Sequence, residues 1–271
     1  MIDRGEGADM TTSYPPPPVL YEDEAIAAFD KPAGLPTANA ERGQESLYTL
    51  LQRLWLPGAF IGIVSRLDAA VSGVVVVAKT SSAAAGLSAQ FRDRTAEKTY
   101  TAIVEGRFPA PLGTWVDWHD EILRRPGESR SIVTRSGPAD HRSGSPGRHG
   151  PSGGDDQDDD ERGSAADVRP RPAHVQARVV QRAGEVSRVE LKPSTGRRHQ
   201  LRVQLASRRC PIVGDRLYGA RLPFPQGIAL HATELAIEHP ATGVMLRLRA
   251  PLPLVWRRRF PALFPSDRGP R

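Results

Sequence analysis

The stretch that decides the reading is SRLDAAVSGVVVVAKT, Ser65 to Thr80. From Gly73 to Lys79 it is β-branched and apolar almost without a break, which predicts a strand buried on both faces. Asp68 stands just before that strand, two residues after Arg66. An aspartate at such a boundary serves as a turn or cap residue, as an ion-pair partner or as a catalytic group. Taken locally, the turn or cap is favoured, because aspartate is common there. The rest of the chain has to decide.

Downstream, SSAAAGLSAQFRDRTAEK predicts a helix capped by Ser81 or Ser82. KTYTAIVEG, Lys98 to Gly106, alternates as a strand does and projects Tyr100 from one face. The order is strand, helix, strand, with a connection long enough for a crossover. Upstream, EAIAAFDKPAGLPT predicts a short strand ending at Lys31-Pro32, then a loop held open by Pro32, Gly34 and Pro36. Ser46 opens SLYTLLQRLW, whose Leu47, Leu50, Leu51 and Leu54 fall at helical spacing.

Residues 1–19 are polar and end in four prolines and a valine, the composition of an extended tail. Gly137 to Pro172 has no aromatic residue, leucine or isoleucine, and holds eight acids against five arginines. Such a segment buries too little apolar surface to offset its ordering entropy, so it is expected to be a disordered insertion. Strand-like sequence resumes at HVQARVVQ and EVSRVELKP. TGRRHQLRVQLASRR reads as a turn entering a helix, although Leu201, Val203 and Leu205 also permit a strand. CPIVGDRLYGA is loop-rich. IALHATELAIEHPATGVMLRLRAPLP reads as two strands around Pro240 to Gly243. The expected organisation is one domain over 20–256, interrupted by 137–172, with a basic peripheral tail over 257–271.

At 39% hydrophobic the chain of 271 residues can bury a real core. No run approaches the length of a membrane-spanning helix, and the N-terminus has no hydrophobic signal core. A single cysteine, Cys210, excludes an internal disulfide and a multi-cysteine zinc site. These features predict a cytoplasmic protein with no membrane partner. The insertion carries a net charge of −3, which leaves +9 on the remainder of a chain whose total is +6. Between Lys192 and Arg221 eight basic residues face one acid, Asp215. A basic face of that kind suits a polyanion such as RNA.

Ordinary chemistries fall away. There is no Walker loop and no G-x-G-x-x-G, so no nucleotide cofactor is expected. His231 and His239 lack the helical spacing of a metal pair, and no metal site is read from the sequence. Ser72-Gly73 lacks the leading glycine of a nucleophile elbow, and Cys210 has no evident base. What remains is a set of polar residues at structural boundaries: Asp68, Tyr100 and Arg202, with Arg66 and the basic GRRHQ. Spacing alone does not assemble them into a site.

Five blocks taken together resemble the RluA-type family of RNA pseudouridine synthases. They are DKPAGLPT at Asp30, SRLDAAVSGVVVVAKT at Ser65, EKTYTAIVEG at Glu97, LKPSTGRRHQLRVQLASRRCPIVGDRLYG at Leu191, and LHATELAIEHPATGVMLRLRAPLP at Leu230. The resemblance spans residues 20 to 255 apart from the insertion. It implies an α+β fold with a large, mixed, mainly antiparallel sheet bent around a central catalytic cleft and flanked by helices. It implies a cofactor-free, monomeric isomerase acting on uridine in structured rRNA or tRNA.

The family's essential aspartate matches Asp68. Its stacking tyrosine, a candidate base for the final proton abstraction, matches Tyr100. The basic residue paired with the aspartate matches Arg202, the apolar pocket neighbour Leu201, and the arginine that fills the space of the flipped nucleotide Arg66. Arg197, Arg198, His199, Arg208 and Arg209 are the further residues expected at RNA. Breaking and remaking a glycosidic bond needs a nucleophilic carboxylate, a partner for its charge, and a way to take the base from its stack. The attack on C1′, the attack on C6 and a glycal route all use the same aspartate. Ser65 and Val71 depart from the family's usual His and Thr. The other readings are a non-catalytic RNA-binding or ribosome-assembly factor using the same basic cleft, and a hydrolase. The hydrolase lacks a second acid to serve as general acid.

Overall fold

The computed structural model describes residues 14–38, 44–137, 140–141 and 169–265. Strand β1 (Val19–Glu22) begins in the last residue of the expected tail. It turns at Asp23, whose carboxylate accepts from the amides of Ala25 and Ile26, into β2 (Ile26–Lys31). Helix α1 (Leu47–Leu54) starts with a reciprocal cap: Thr49 N–H donates to Ser46 Oγ, and Ser46 N–H donates to Thr49 Oγ1. Leu47, Leu50 and Leu51 are buried, whereas Leu54 stays 46% exposed at the edge of the stripe.

Strand β3 (Gly62–Ile63) and strand β4 (Ser72–Ala78) follow. Every residue of β4 is buried, and its valines serve two cores. Val75 and Val77 pack with Ala27, Phe29 and the three buried leucines of α1. Val74, Val76 and Ala78 pack with Ala83 and Leu87 of α2 (Ser81–Arg92). Each such burial contributes about 1.5–3 kcal/mol. Thr80, one residue before the expected Ser81 or Ser82, is the N-cap of α2, its hydroxyl accepting from Ala83 N–H.

After β5 (Glu97–Glu105) come β6 (Trp115–Arg124), β7 (Ser131–Ser136) and β8 (Asp140–His141), where the sequence reading placed no strands. Strand β9 (Arg171–Ala183) starts inside the expected insertion, so Arg171 and Pro172 belong to the sheet. The remainder of that segment, 138–139 and 142–168, lies outside the described residues, as do 1–13 of the tail. Strand β10 (Val186–Pro193), helix α3 (Gln200–Ser207), strands β11 (Leu230–Glu238) and β12 (Met245–Arg249), and helix α4 (Leu254–Arg259) complete the order. The C-terminal stretch is not peripheral as far as Phe264. Leu263 and Phe264 are buried in the largest core, and the Arg257 guanidinium lies over the Phe264 ring.

The strands form one open sheet in the order β1-β2-β4-β11-β5-β10-β9-β6-β7, with β12 on β11, β3 on β4 and β8 on β6. It is a mixed α+β architecture, as expected, and mostly antiparallel. Among the named strands the single parallel pairing is β4 with β11, at Ser72 with His231 and Gly73 with Ala232. Gly73 adopts φ +113°, and a Cβ there would stand 2.3 Å from the Ala232 carbonyl oxygen. Only glycine lets the two backbones approach this closely. No described helix is long and apolar enough to cross a membrane.

The junction is also tied by side chains. Ser72 Oγ lies 2.8 Å from His231 Nδ1, and His231 Nε2–H points to the Ala250 carbonyl at 3.4 Å. The serine hydroxyl therefore donates to a neutral imidazole. Burial pushes the His231 imidazole down to about 4, against the opposing effect of the Ala250 carbonyl. A histidine whose folded pKa lies below its unfolded value of about 6.5 binds its proton preferentially when unfolded. Its contribution is complete above pH about 6.5 and is lost as the pH falls toward about 4. Denaturant unfolding between pH 7 and 4 should show stability decreasing through that window, with a shallower slope in His231→Gln. An equal slope in both proteins would exclude His231 as a source.

Candidate active site

Asp68 sits in a turn whose peptide groups are almost all engaged. Thr37 Oγ1 donates to the Leu67 carbonyl at 2.9 Å and accepts from Leu67 N–H at 3.1 Å. Val71 N–H closes the turn onto the Asp68 carbonyl at 2.9 Å. Gly34 N–H donates to the Ala69 carbonyl at 2.7 Å, and Ile228 N–H to the Ala70 carbonyl at 3.0 Å. Gly227 makes this last approach possible: at φ +63°, its Cβ would fall 2.2 Å from Ala70 O. The KPAGLPT loop thus holds the backbone under Asp68.

Lys31 anchors the same loop from beneath. Fully buried, its Nζ donates to the carbonyls of Leu35 at 2.6 Å and Pro32 at 2.9 Å, with Ala69 O at 3.5 Å. Burial pushes this ammonium down to about 7, while the charges of Asp68 and Asp30 oppose the shift. Burial likewise raises the neighbouring Asp30 carboxyl to about 6.

Helix α3 brings the opposing charge. Arg202 grips Asp215 with two parallel hydrogen bonds, Nε to Oδ2 at 2.8 Å and Nη2 to Oδ1 at 2.9 Å. Its third nitrogen, Nη1, donates to Asp68 Oδ2 at 3.0 Å. The Asp215 side chain is 1% exposed and that of Asp68 31%, so the guanidinium joins a sealed carboxylate to an open one. Burial opposes the Arg202 charge, but the bonds and charges of Asp215 and Asp68 outweigh it and hold the guanidinium protonated.

His199 precedes the helix at φ +55°, a left-handed conformation that histidine tolerates better than most residues. Tyr218 Oη accepts from Ser131 N–H at 2.8 Å and shares a hydrogen bond of 3.0 Å with His199 Nδ1. The other nitrogen, Nε2, stands 3.7 Å from Asp68 Oδ2. Burial pushes the His199 imidazole down to about 4 despite the pull of Asp68. Both neighbours address Oδ2; among the described residues no hydrogen bond falls on Oδ1.

Tyr100, on β5, pairs in register with Leu191 and Ala232 and packs with Leu67 and Ala70 against the largest core. Burial first, and then the charge of Asp68, raise its phenol well above the ordinary value. Leu201 is buried in the same core, and so is Val71. Arg66 and Arg209 are exposed, and Arg197 and Arg198 half-buried. Arg197 Nε donates to the Pro172 carbonyl at 3.1 Å. Arg208 and Arg209 lie past the far end of α3 from His199, about 12 Å along an eight-residue helix. Arg208 is committed to buried Asp120 through two bonds of 2.9 Å and stacks 4.0 Å over Trp118. It braces α3 against β6.

Asp215, Lys31 and Tyr218 are residues around Asp68 that the sequence reading missed, and His199, which it expected at RNA, also stands beside Asp68. The available signal was that Asp215 is the one acid in a long basic run.

Three comparisons bear on this arrangement. A family model described as RNA pseudouridylate synthase matches residues 25–207. A protein of Escherichia coli O6:H1 named dual-specificity RNA pseudouridine synthase RluA is 36% identical over 239 residues, 86% of this chain and 92% of its own. A Bacillus subtilis protein named uncharacterized RNA pseudouridine synthase YhcT is 32% identical over 256 residues, 93% of this chain and 74% of its own. Among solved structures, human RNA pseudouridylate synthase domain containing 4 superposes with a TM-score of 0.66 at 23% identity, covering 90% of this chain and 92% of its own. That likeness concerns the fold.

The two carboxylates on Arg202 are not equivalent in stability. Asp215→Asn leaves buried charge uncompensated and should cost about 3–5 kcal/mol. Asp68→Asn, at an exposed edge with Asp215 still in place, should cost about 1 kcal/mol or less. Denaturant unfolding of the two variants measures the difference, and equal losses would contradict this division.

Proposed function

The chain belongs to the RNA pseudouridylate synthase family, and on that premise we propose that Asp68 is the nucleophile with which it isomerises uridine. The reaction is that of an RNA pseudouridine synthase: the N1–C1′ bond breaks, the uracil turns, and a C5–C1′ bond replaces it. Atoms and electrons balance within the substrate, so the residues around Asp68 are sufficient without a redox partner.

The observation that carries the proposal is the pairing of Asp68 with Arg202 while Asp215 holds the guanidinium from behind. A guanidinium fixed on its far side presents one N–H to Asp68 at no further ordering cost. Because Arg202 and His199 both approach Oδ2, Oδ1 is the oxygen offered to the nucleoside. The pinned turn keeps the carboxylate from following the sugar as bonds change, which is how positioning lowers a barrier.

Tyr100 is a neutral phenol at physiological pH, because its pKa is raised. A neutral ring suits stacking on the uracil. If its oxygen takes the C5 proton, the phenol's own proton must move on in the same step. Arg66, exposed beside the nucleophile, is the side chain to occupy the place of an extruded nucleotide. Arg197, Arg198 and Arg209 contribute positive charge for flanking phosphates, with Leu201 as apolar support. The substrate we propose is structured rRNA or tRNA in the cytoplasm, acted on by the monomer.

The test is Asp68→Asn expressed in cells lacking the protein, with pseudouridines mapped across total RNA after carbodiimide treatment. The wild type should restore the missing sites. The variant should restore none, and its rate in vitro should fall at least about a thousandfold with RNA affinity within a few-fold of wild type. Full modification by Asp68→Asn would remove the aspartate from the chemistry. Unchanged pseudouridine maps with and without the protein would point instead to RNA binding without turnover.

A further inference from the structure

Three potential metal ligands that are scattered in the sequence meet on one face of the sheet, on strands apart from the Asp68 turn. Strands β6 and β9 run antiparallel with His119 opposite His174 and Asp117 opposite Gln176. Residues two apart share a face, so Asp117 and His119 lie beside His174. The two imidazoles stack, centroids 4.4 Å apart and 23° from parallel. His174 Nε2 stands 3.0 Å from Asp117 Oδ1. One ligand atom from each of the three residues lies within 4.8 Å of the others.

We propose that Asp117, His119 and His174 bind one divalent first-row transition metal ion, with zinc(II) the best match. Two imidazoles and a carboxylate are a recurrent three-ligand set for zinc, with a water in the fourth position. Magnesium and calcium favour oxygen ligands and fit this set poorly. In a tetrahedron with bonds of about 2.0–2.1 Å, ligand atoms stand about 3.3 Å apart. The 3.0 Å between His174 Nε2 and Asp117 Oδ1 is already close to that. His119 is the exposed member, and its ring would have to turn out of the stack with His174 to aim a nitrogen at the ion.

The supporting contacts are those that metal sites use. His174 Nδ1 lies 2.7 Å from Ser194 Oγ, and Gln176 Nε2 donates to Asp117 Oδ1 at 3.1 Å. A second bond to the imidazole fixes its tautomer and orients the ring toward the ion. On loading, the ring proton moves from Nε2 to Nδ1 and is donated to Ser194, and Nε2 turns its lone pair to the metal. The site also reaches the segment that enters α3. His174 N–H donates to Thr195 Oγ1 at 2.9 Å, and Gln200 Nε2 donates to the His174 carbonyl at 3.0 Å. A bound ion would therefore stiffen the loop preceding His199 and Arg202.

The experiment titrates zinc chloride into chelator-treated full-length protein by calorimetry, and repeats it with cobalt(II) read by visible absorption. One equivalent of zinc should bind, and cobalt should give the intense bands of a four-coordinate ion. His119→Ala and His174→Ala should each weaken zinc binding at least about tenfold and abolish those bands, and Ser194→Ala should weaken it by a similar factor. His239→Gln should leave both readouts unchanged, since that histidine lies past the end of β11 and bonds Asp23 instead. Circular dichroism without metal checks that each variant is folded. Absence of zinc uptake, or equal uptake by the wild type and a folded His119→Ala/His174→Ala protein, overturns the site. Displacement of zinc by millimolar magnesium does so as well. In those cases the three residues form only a hydrogen-bonded cluster.

Discussion

A guanidinium held between a sealed carboxylate and an open one is the interaction on which the rest of the site depends. Arg202 spends two hydrogen bonds on Asp215 and one on Asp68. Without Asp215 the same arginine, almost fully buried, would need another anion, and among the described residues Asp68 is the one bonded to it. With Asp215 in place the charge of Arg202 is already compensated, and Asp68 remains 31% exposed and available. The buried pair and the exposed pair thus share one side chain. This arrangement allows a buried cation next to a solvent-accessible carboxylate without sacrificing the fold.

The fold exists to bring that cation and that carboxylate together from distant parts of the chain. Asp68 is set by the loop after β2 and by Ile228, and Arg202 by a short helix between β10 and β11. The link between those halves is the brief parallel contact of β4 with β11. It requires Gly73 against Ala232 and is tied by Ser72 to His231. The valine run completes the logic: packed on both faces, it is a rigid base from which the Asp68 turn projects. The turn favoured by local sequence and the arginine partner implied by the family blocks meet in one residue, since the Asp68 backbone closes a turn while its side chain meets Arg202.

Much of this was legible because it follows local periodicity. Strands β2, β4, β5, β9 and β10, the β11–β12 hairpin and helices α1 and α2 all carry clear alternation or spacing with turn residues between them. Helix α3 was ambiguous for a physical reason. It is buried on nearly every side, so Leu201, Val203 and Leu205 mimic a strand. The polar residues beside them are buried too, each with a partner from elsewhere in the chain: Gln200 with His174, Arg202 with Asp215, Gln204 with Asp120. Strand β6 was hidden by the same effect, because Asp117 and Asp120 are buried charges whose partners lie far along the chain. Arg208, an RNA-facing residue by composition, proved to be one of those partners. Pairings such as these, and the meeting of His119 with His174, arise only when strands are in register.

The most direct test of the central claim is the single-turnover rate of Asp215→Asn, a residue that need never touch RNA. If Arg202 is held by Asp215 so that it can serve Asp68, the rate should fall about a hundredfold, equivalent to about 2.7 kcal/mol of lost transition-state stabilisation. RNA affinity should stay within a few-fold of wild type, and circular dichroism should report the native fold. A folded Asp215→Asn protein that turns over at the wild-type rate would contradict the account.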